Sequence, residues 1–188
     1  MGRHLLVPVL CWAALCAGLP SRLAAGRVAL EQDPDDRAAI EALRDSLSGV
    51  RDSMGLRRLE AATIDQAKRD RDNPLLHLRL GFIAYRLGEL ANSKPHYDDA
   101  ASEFEWASEL RPTWPYPWYG LGLAEVAQGE HAMMAIENLR QQFGLDYLSK
   151  AANAFARATQ ADPSFSMATI DLAAAALSQR IRPRLDVA

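Results

Sequence analysis

At 188 residues, 49% apolar and 24% charged, the chain has the length of one ordinary domain and the composition of a folded one, which excludes disorder or a collagen-like repeat as a description of the whole. The formal net charge is −3, and because Arg3 and Arg22 are the only charges in the first 25 residues, the remainder sets 19 basic groups against 24 acidic ones. A face that grips nucleic acid needs clustered cations to release counterions from phosphates, so this balance argues against a nucleic-acid partner.

Residues 1–26 read as a secretory signal peptide. Met1 to His4 is a short cationic start, Leu5 to Leu15 is an unbroken apolar run, and small residues follow up to Gly26, with the first acid only at Glu31. The apolar run is shorter than the ~20 residues a membrane-spanning helix needs, so no stable span is expected once the signal is removed. Cleavage is expected near Ala25 or Gly26, giving a mature N-terminus between Gly18 and Arg27. Both cysteines, Cys11 and Cys16, fall inside this segment and each follows a leucine, unlike a lipidation site. The mature chain would then carry no disulfide, no thiolate metal site and no cysteine nucleophile. The expected location is periplasmic or secreted, and 18 Arg to 3 Lys hints at a GC-rich, bacterial genome. The alternative is a membrane tether formed by an uncleaved signal.

After a linker at 27–35, the segment 36–73 suggests two helices. Asp36 to Leu47 carries apolar residues at helical spacing, Gly49 and Gly55 punctuate, Leu56 to Lys68 forms a second helical pattern, and Arg71-Asp72-Asn73-Pro74 makes a turn. The next two segments, 74–112 and 113–163, are related to each other. Leu80-Gly81 and Leu121-Gly122 lie 41 residues apart, with Gly88 and Gly129 each following seven residues after the first glycine. Downstream, Ala100, Phe104, Ala107 and Pro112 match Ala151, Phe155, Ala158 and Pro163 with the same internal spacings of four, three and five. Ser166 to Gln179 repeats the register once more, so 164–181 is expected as a terminal capping helix and 182–188 as a tail.

These residues resemble the tetratricopeptide repeat, whose pattern is W-x2-L-G-x2-Y, then A-x3-F-x2-A and a closing Pro. The second unit supplies Trp118, Leu121, Gly122, Ala151, Phe155, Ala158 and Pro163. The first supplies Leu80, Gly81, Ala100, Phe104, Ala107 and Pro112. Ala84 and Glu125 stand where the family prefers tyrosine, and the links between helices are longer than the family's by 7 and 17 residues. The resemblance implies an all-α, right-handed helix-turn-helix solenoid of about three helix pairs plus a terminal helix, with 36–73 as a degenerate first repeat. Small residues at Gly81, Gly122, Ala100 and Ala151 would let paired helices approach closely, while Trp118, Phe104 and Phe155 would fill the space between successive pairs. Pro112 and Pro163 would stop the second helices, since proline cannot donate the next backbone bond.

In this family the first helix of each repeat lines a concave groove. The resemblance carries that role to Leu75, Leu78, Phe82, Tyr85 and Arg86, to Tyr116, Tyr119, Leu123, Val126 and Ala127, and on the terminal helix to Met167, Ile170, Ala174, Leu177 and Ser178. Such a groove would be apolar and aromatic, fitted to a hydrophobic helix or extended segment rather than an acidic tail. Its aromatic members Phe82, Tyr85 and Tyr119 are expected to be partly exposed. The insertion from His131 to Leu148 adds a mostly one-sided apolar stripe of Met133, Met134, Ile136, Leu139 and Phe143, either part of the binding surface or a cover for the protein's own groove.

No catalytic pattern emerges. The histidines beyond the signal are His77, His96 and His131, with no second histidine one helical turn from any of them, and there is no H-E-x-x-H, G-x-S-x-G or phosphate-cradling glycine loop. His77 occupies the position of Trp118 in the next unit and reads as a packing residue. The charge run Lys68 to Asp72 and the pair Asp98-Asp99 read as solvated turns. The sequence thus suggests an exported protein that holds a peptide or protein partner and needs no cofactor or metal. The rival expectation is a structural subunit of a cell-envelope assembly that self-associates through an open C-terminal end.

Overall fold

The computed structural model describes residues 34–135 and 140–185. The expected signal peptide at 1–26, most of the linker and the last three residues lie outside them. Among the described residues all regular structure is helical: α1 Pro34–Ser48, α2 Ser53–Ala67, α3 Pro74–Ala91, α4 Lys94–Leu110, α5 Pro115–Ala135, α6 Arg140–Ala161 and α7 Ser166–Leu185. None of these helices is long and apolar enough to cross a membrane.

Local chemistry sets most boundaries. Asp52 accepts the backbone N–H of Met54 to open α2, and Asn73 does the same for Leu75 at the start of α3, each at 3.0 Å. Pro74 and Pro115 each begin a helix, where a missing backbone donor costs nothing. α3 stops at Asn92, whose left-handed backbone (φ 47°) asparagine tolerates better than most residues, and the following Ser93 N–H returns to the Gly88 carbonyl at 3.1 Å. α4 gives way at Arg111, one residue before Pro112.

From α2 to α7 each helix packs on its neighbours in sequence, α3 also touches α5, and α1 packs on α3. The two helices of segment 36–73 therefore do not form a hairpin with each other; both lean on α3. The seams are built from the same two kinds of contact. A Cβ on Gly81 would stand 2.6 Å from Phe104 Cε1, and one on Gly122 would stand 2.4 Å from Phe155 Cε1. Phe104 and Phe155 are fully buried, and around them Ala100, Ala107, Ala151 and Ala158 are closed to solvent. Gly120 receives Phe104 from the other side, at 2.4 Å from a notional Cβ, so one ring is wedged between the backbones of α3 and α5.

That wedge displaces Trp118 from the role expected of it. With Phe104 already filling the seam, the Trp118 indole lies half-buried at its edge, donating its N–H to the Pro112 carbonyl at 2.9 Å under the Arg157 guanidinium, 4.5 Å from the ring centroid. The buried aromatics between successive units are instead Trp114 and Phe165, each two residues after a closing proline. Tyr116 meets both, at 5.7 and 5.6 Å between centroids, and Phe165 also packs edge-on against Tyr119 at 5.0 Å.

The described parts of the insertion at 131–148 lengthen the helices on either side of it. α5 and α6 run to 21 and 22 residues, against 18 and 17 for α3 and α4. The side chains of Met133, Met134, Ile136, Leu139 and Phe143 lie outside the described residues.

Candidate functional site: the face of α3, α5 and α7

α3, α5 and α7 turn one side toward α1, and the four helices line a half-open cavity of about 350 Å³. α3 contributes Phe82, Tyr85, Arg86 and Glu89; α5 contributes Tyr119 and Leu123; α7 contributes Met167; α1 contributes Arg44, Asp45, Leu47 and Ser48. Six of the fifteen positions singled out as a groove from the sequence, Phe82, Tyr85, Arg86, Tyr119, Leu123 and Met167, thus come together on one cavity wall. Of the others, Leu78 and Tyr116 are buried outside it, and Ile170 is 65% exposed.

The lining is less open than expected. Phe82 and Tyr119 are both buried, at 4% exposure, because α1 lies over the face and because these rings also belong to the core. Phe82 packs edge-on against Phe104 at 5.0 Å, and Tyr119 touches Phe155 and Phe165. Tyr85, Leu123 and Met167 are the partly buried members. Among the other positions the resemblance assigned to the groove, Leu75 is exposed and Ala127 is buried.

α1 was legible as a helix, but its contacts were not. Ile40 and Leu47 are buried, seven residues apart on one side, with Leu43 partly buried between them. At its start Arg37 pairs with the buried Asp162 carboxylate and donates to Ser164 Oγ at 2.9 Å. Asp162 is held in place by the backbone N–H and hydroxyl of Ser164, at 2.9 and 2.7 Å. Further along, Arg44 donates to Met167 Sδ at 3.3 Å. Just past the helix, Arg86 clamps the Val50 carbonyl through two nitrogens at 3.1 and 3.0 Å while its third meets Glu89 at 2.8 Å.

The electrostatics are those of an aromatic floor with a charged rim. Burial, reinforced by Glu89, pushes the Tyr85 phenol well above its ordinary range. Burial and then the Asp171 carboxylate do the same for Tyr119, against a smaller opposing effect of Arg44. Both phenols stay neutral and stand as aromatic walls.

Two polar clusters lie elsewhere. His77 is stacked on Trp106 (centroids 5.2 Å apart), with Nδ1 2.7 Å from Glu103 Oε2 and Nε2 2.7 Å from the Arg71 carbonyl. Both ring nitrogens are thus engaged by the protein's own oxygens, which fits a residue that ties α3 to α4 better than one that moves protons. His96 does have a carboxylate one turn on, Asp99, but at 4.0 Å the contact is too long for a hydrogen bond. Glu125, where the repeat pattern prefers tyrosine, is buried on α5 with Oε2 unbonded among the described residues, and burial raises its pKa against the pull of Lys150. Among the described residues no group of three or more histidine, cysteine or acidic side chains is placed to hold a metal.

Neither protein-family models nor curated proteins yield a match to this chain. The functional reading therefore rests on the residues themselves.

Proposed function

We propose that this is an exported, non-catalytic scaffold, a tetratricopeptide-like solenoid that holds a peptide or protein partner on the face of α3, α5 and α7. The observation that carries the reading is the cavity of about 350 Å³, with an aromatic floor of Phe82, Tyr85 and Tyr119 and charges confined to its edge. An apolar floor supplies affinity by burial and rim charges supply orientation, the usual division of labour at a peptide groove. Export is supported by the pattern of residues 1–26, and the repeat reading by the equivalent glycine–phenylalanine contacts of the two units.

Leu123 and Tyr85 are the appropriate test positions, because both are only partly buried, whereas Tyr119 belongs to the core and its removal would confuse folding with binding. Capture from a bacterial cell-envelope extract by Leu123→Asp and Tyr85→Ala should lose the proteins retained by wild type, with unchanged circular dichroism. Equal capture by all three would overturn the groove reading. A second reading is favoured by a separate observation: Ile170 and Leu177, on the outer side of α7, are 65% and 57% exposed. If these form an assembly surface, retention should survive the groove substitutions and be lost with Leu177→Asp.

A further inference from the structure

α1 meets its face as a bound peptide would. Arg37 at one end engages a buried carboxylate, Asp162, and two apolar residues on the same side, Ile40 and Leu47, are buried. The order is a cation, then aliphatic residues three and ten positions later. Yet α1 does not cover its face completely. Beside Leu47 a half-open cleft of about 350 Å³ reaches Phe82, Tyr85 and Tyr119. A helix whose side chains reached into it would bury apolar surface that α1 leaves uncovered, and would be held more tightly than α1 is.

Resting on the scaffold reading above, we propose that the partner is an amphipathic helix with the pattern of α1, a basic residue followed at three and ten positions by apolar ones, and that it binds by displacing α1. The last of those positions favours a side chain larger than leucine. Polarity is fixed by Asp162, which takes the basic end. α1 is then a tethered competitor: its attachment through residues 49–52 gives it an effective concentration that an outside helix must beat.

The test uses a labelled synthetic peptide of residues 34–48 as probe, titrated by fluorescence anisotropy into the full chain and into the full chain carrying Ile40→Asp and Leu47→Asp. With its own α1 repelled, the double variant should bind the peptide at least about tenfold more tightly than wild type. A peptide carrying L47F should bind tighter still, and Asp162→Asn should weaken the native peptide but not one carrying R37A. Equal or absent binding by both proteins, with helicity retained, would overturn the proposal and make α1 a permanent part of the core. If the double variant does not fold, Arg37→Glu loosens α1 from its half-exposed end alone, and unchanged peptide affinity there would overturn the proposal equally. Capture that depends on Leu123 yet is untouched by the peptide would defeat this inference and leave the scaffold standing. Peptide binding as described, with capture indifferent to Leu123→Asp, would defeat the scaffold reading instead.

Discussion

A methyl group on Gly122 would stand 2.4 Å from Phe155 Cε1, and that ring cannot retreat because it is buried among alanines. Helix propensity alone would reward Gly122→Ala by about 1 kcal/mol, but overpacking a core costs about 1–3 kcal/mol. A net loss of up to about 2 kcal/mol is expected from urea midpoints, less in a Phe155→Leu background where the neighbour can yield. Gly49, whose added methyl would meet nothing nearer than 3.7 Å, should accept alanine without loss. Trp118 provides the complementary case. Half-buried, with one hydrogen bond and a stacked guanidinium, Trp118→Ala should cost about 1–2 kcal/mol, whereas Phe104→Ala should cost about 3–5. The repeat pattern marks both positions alike, and only the packing around Gly120 shows which ring holds the seam. Glu125 carries a pH signature. Its carboxyl binds a proton more tightly folded than unfolded, so its contribution favours folding at low pH and is lost as pH rises from about 4.5 through the higher folded value. Glu125→Gln should flatten that decline between pH 4 and 8. A constant offset across the range would show that Lys150 offsets the burial.

α1 is the element whose role depends least on its own sequence. Its apolar residues recur at helical spacing, so a helix with one greasy side could be read directly from Ile40, Leu43 and Leu47. Periodicity, however, says which side is buried and not what buries it; the partners Asp162 and Met167 lie far along the chain. The α3–α4 and α5–α6 pairs were easier because their decisive contacts are local, a glycine on one helix and a phenylalanine on the next. The face of α3, α5 and α7 was legible as a set of positions, but its exposure was not, since an occupant from elsewhere in the chain leaves no mark on them. The aromatics that fill the unit junctions, Trp114 and Phe165, could have been found by extending the downstream alignment two residues beyond the prolines. With few buried side chains and a half-open cleft beside Leu47, α1 should open well before the rest. Hydrogen exchange should show residues 40–47 opening with a smaller free energy than the amides of α3. Arg37→Ala should speed α1 exchange by only about two- to fivefold, because a pair this exposed is worth at most about 1 kcal/mol, and should leave α3 to α6 unchanged. Uniform protection across α1 and α3 would mean that the two unfold together.

Across the molecule, support passes from each helix to the next, so damage should stay near where it is made. Phe165 joins the α6–α7 turn to Tyr116 and Tyr119 of α5. Phe165→Ala should cost about 3–5 kcal/mol and remove exchange protection from α7 and the end of α6 first, while α3 and α4 keep theirs. Loss of protection everywhere at once would indicate a single cooperative unit. The contacts of α1 with the C-terminal helices are the exception to this short-range economy, since Arg37–Asp162 joins residues 125 apart and Arg44–Met167 residues 123 apart. Most of the fold is made of neighbours meeting neighbours, which is fast, whereas closing so long a loop must wait for both of its ends. On a ribosome the N-terminal helix emerges first and the last part of its docking site last. Until α6 and α7 are complete α1 can lean only on α3, without its anchors at Asp162 and Met167, and for that interval its hold on the face is at its weakest.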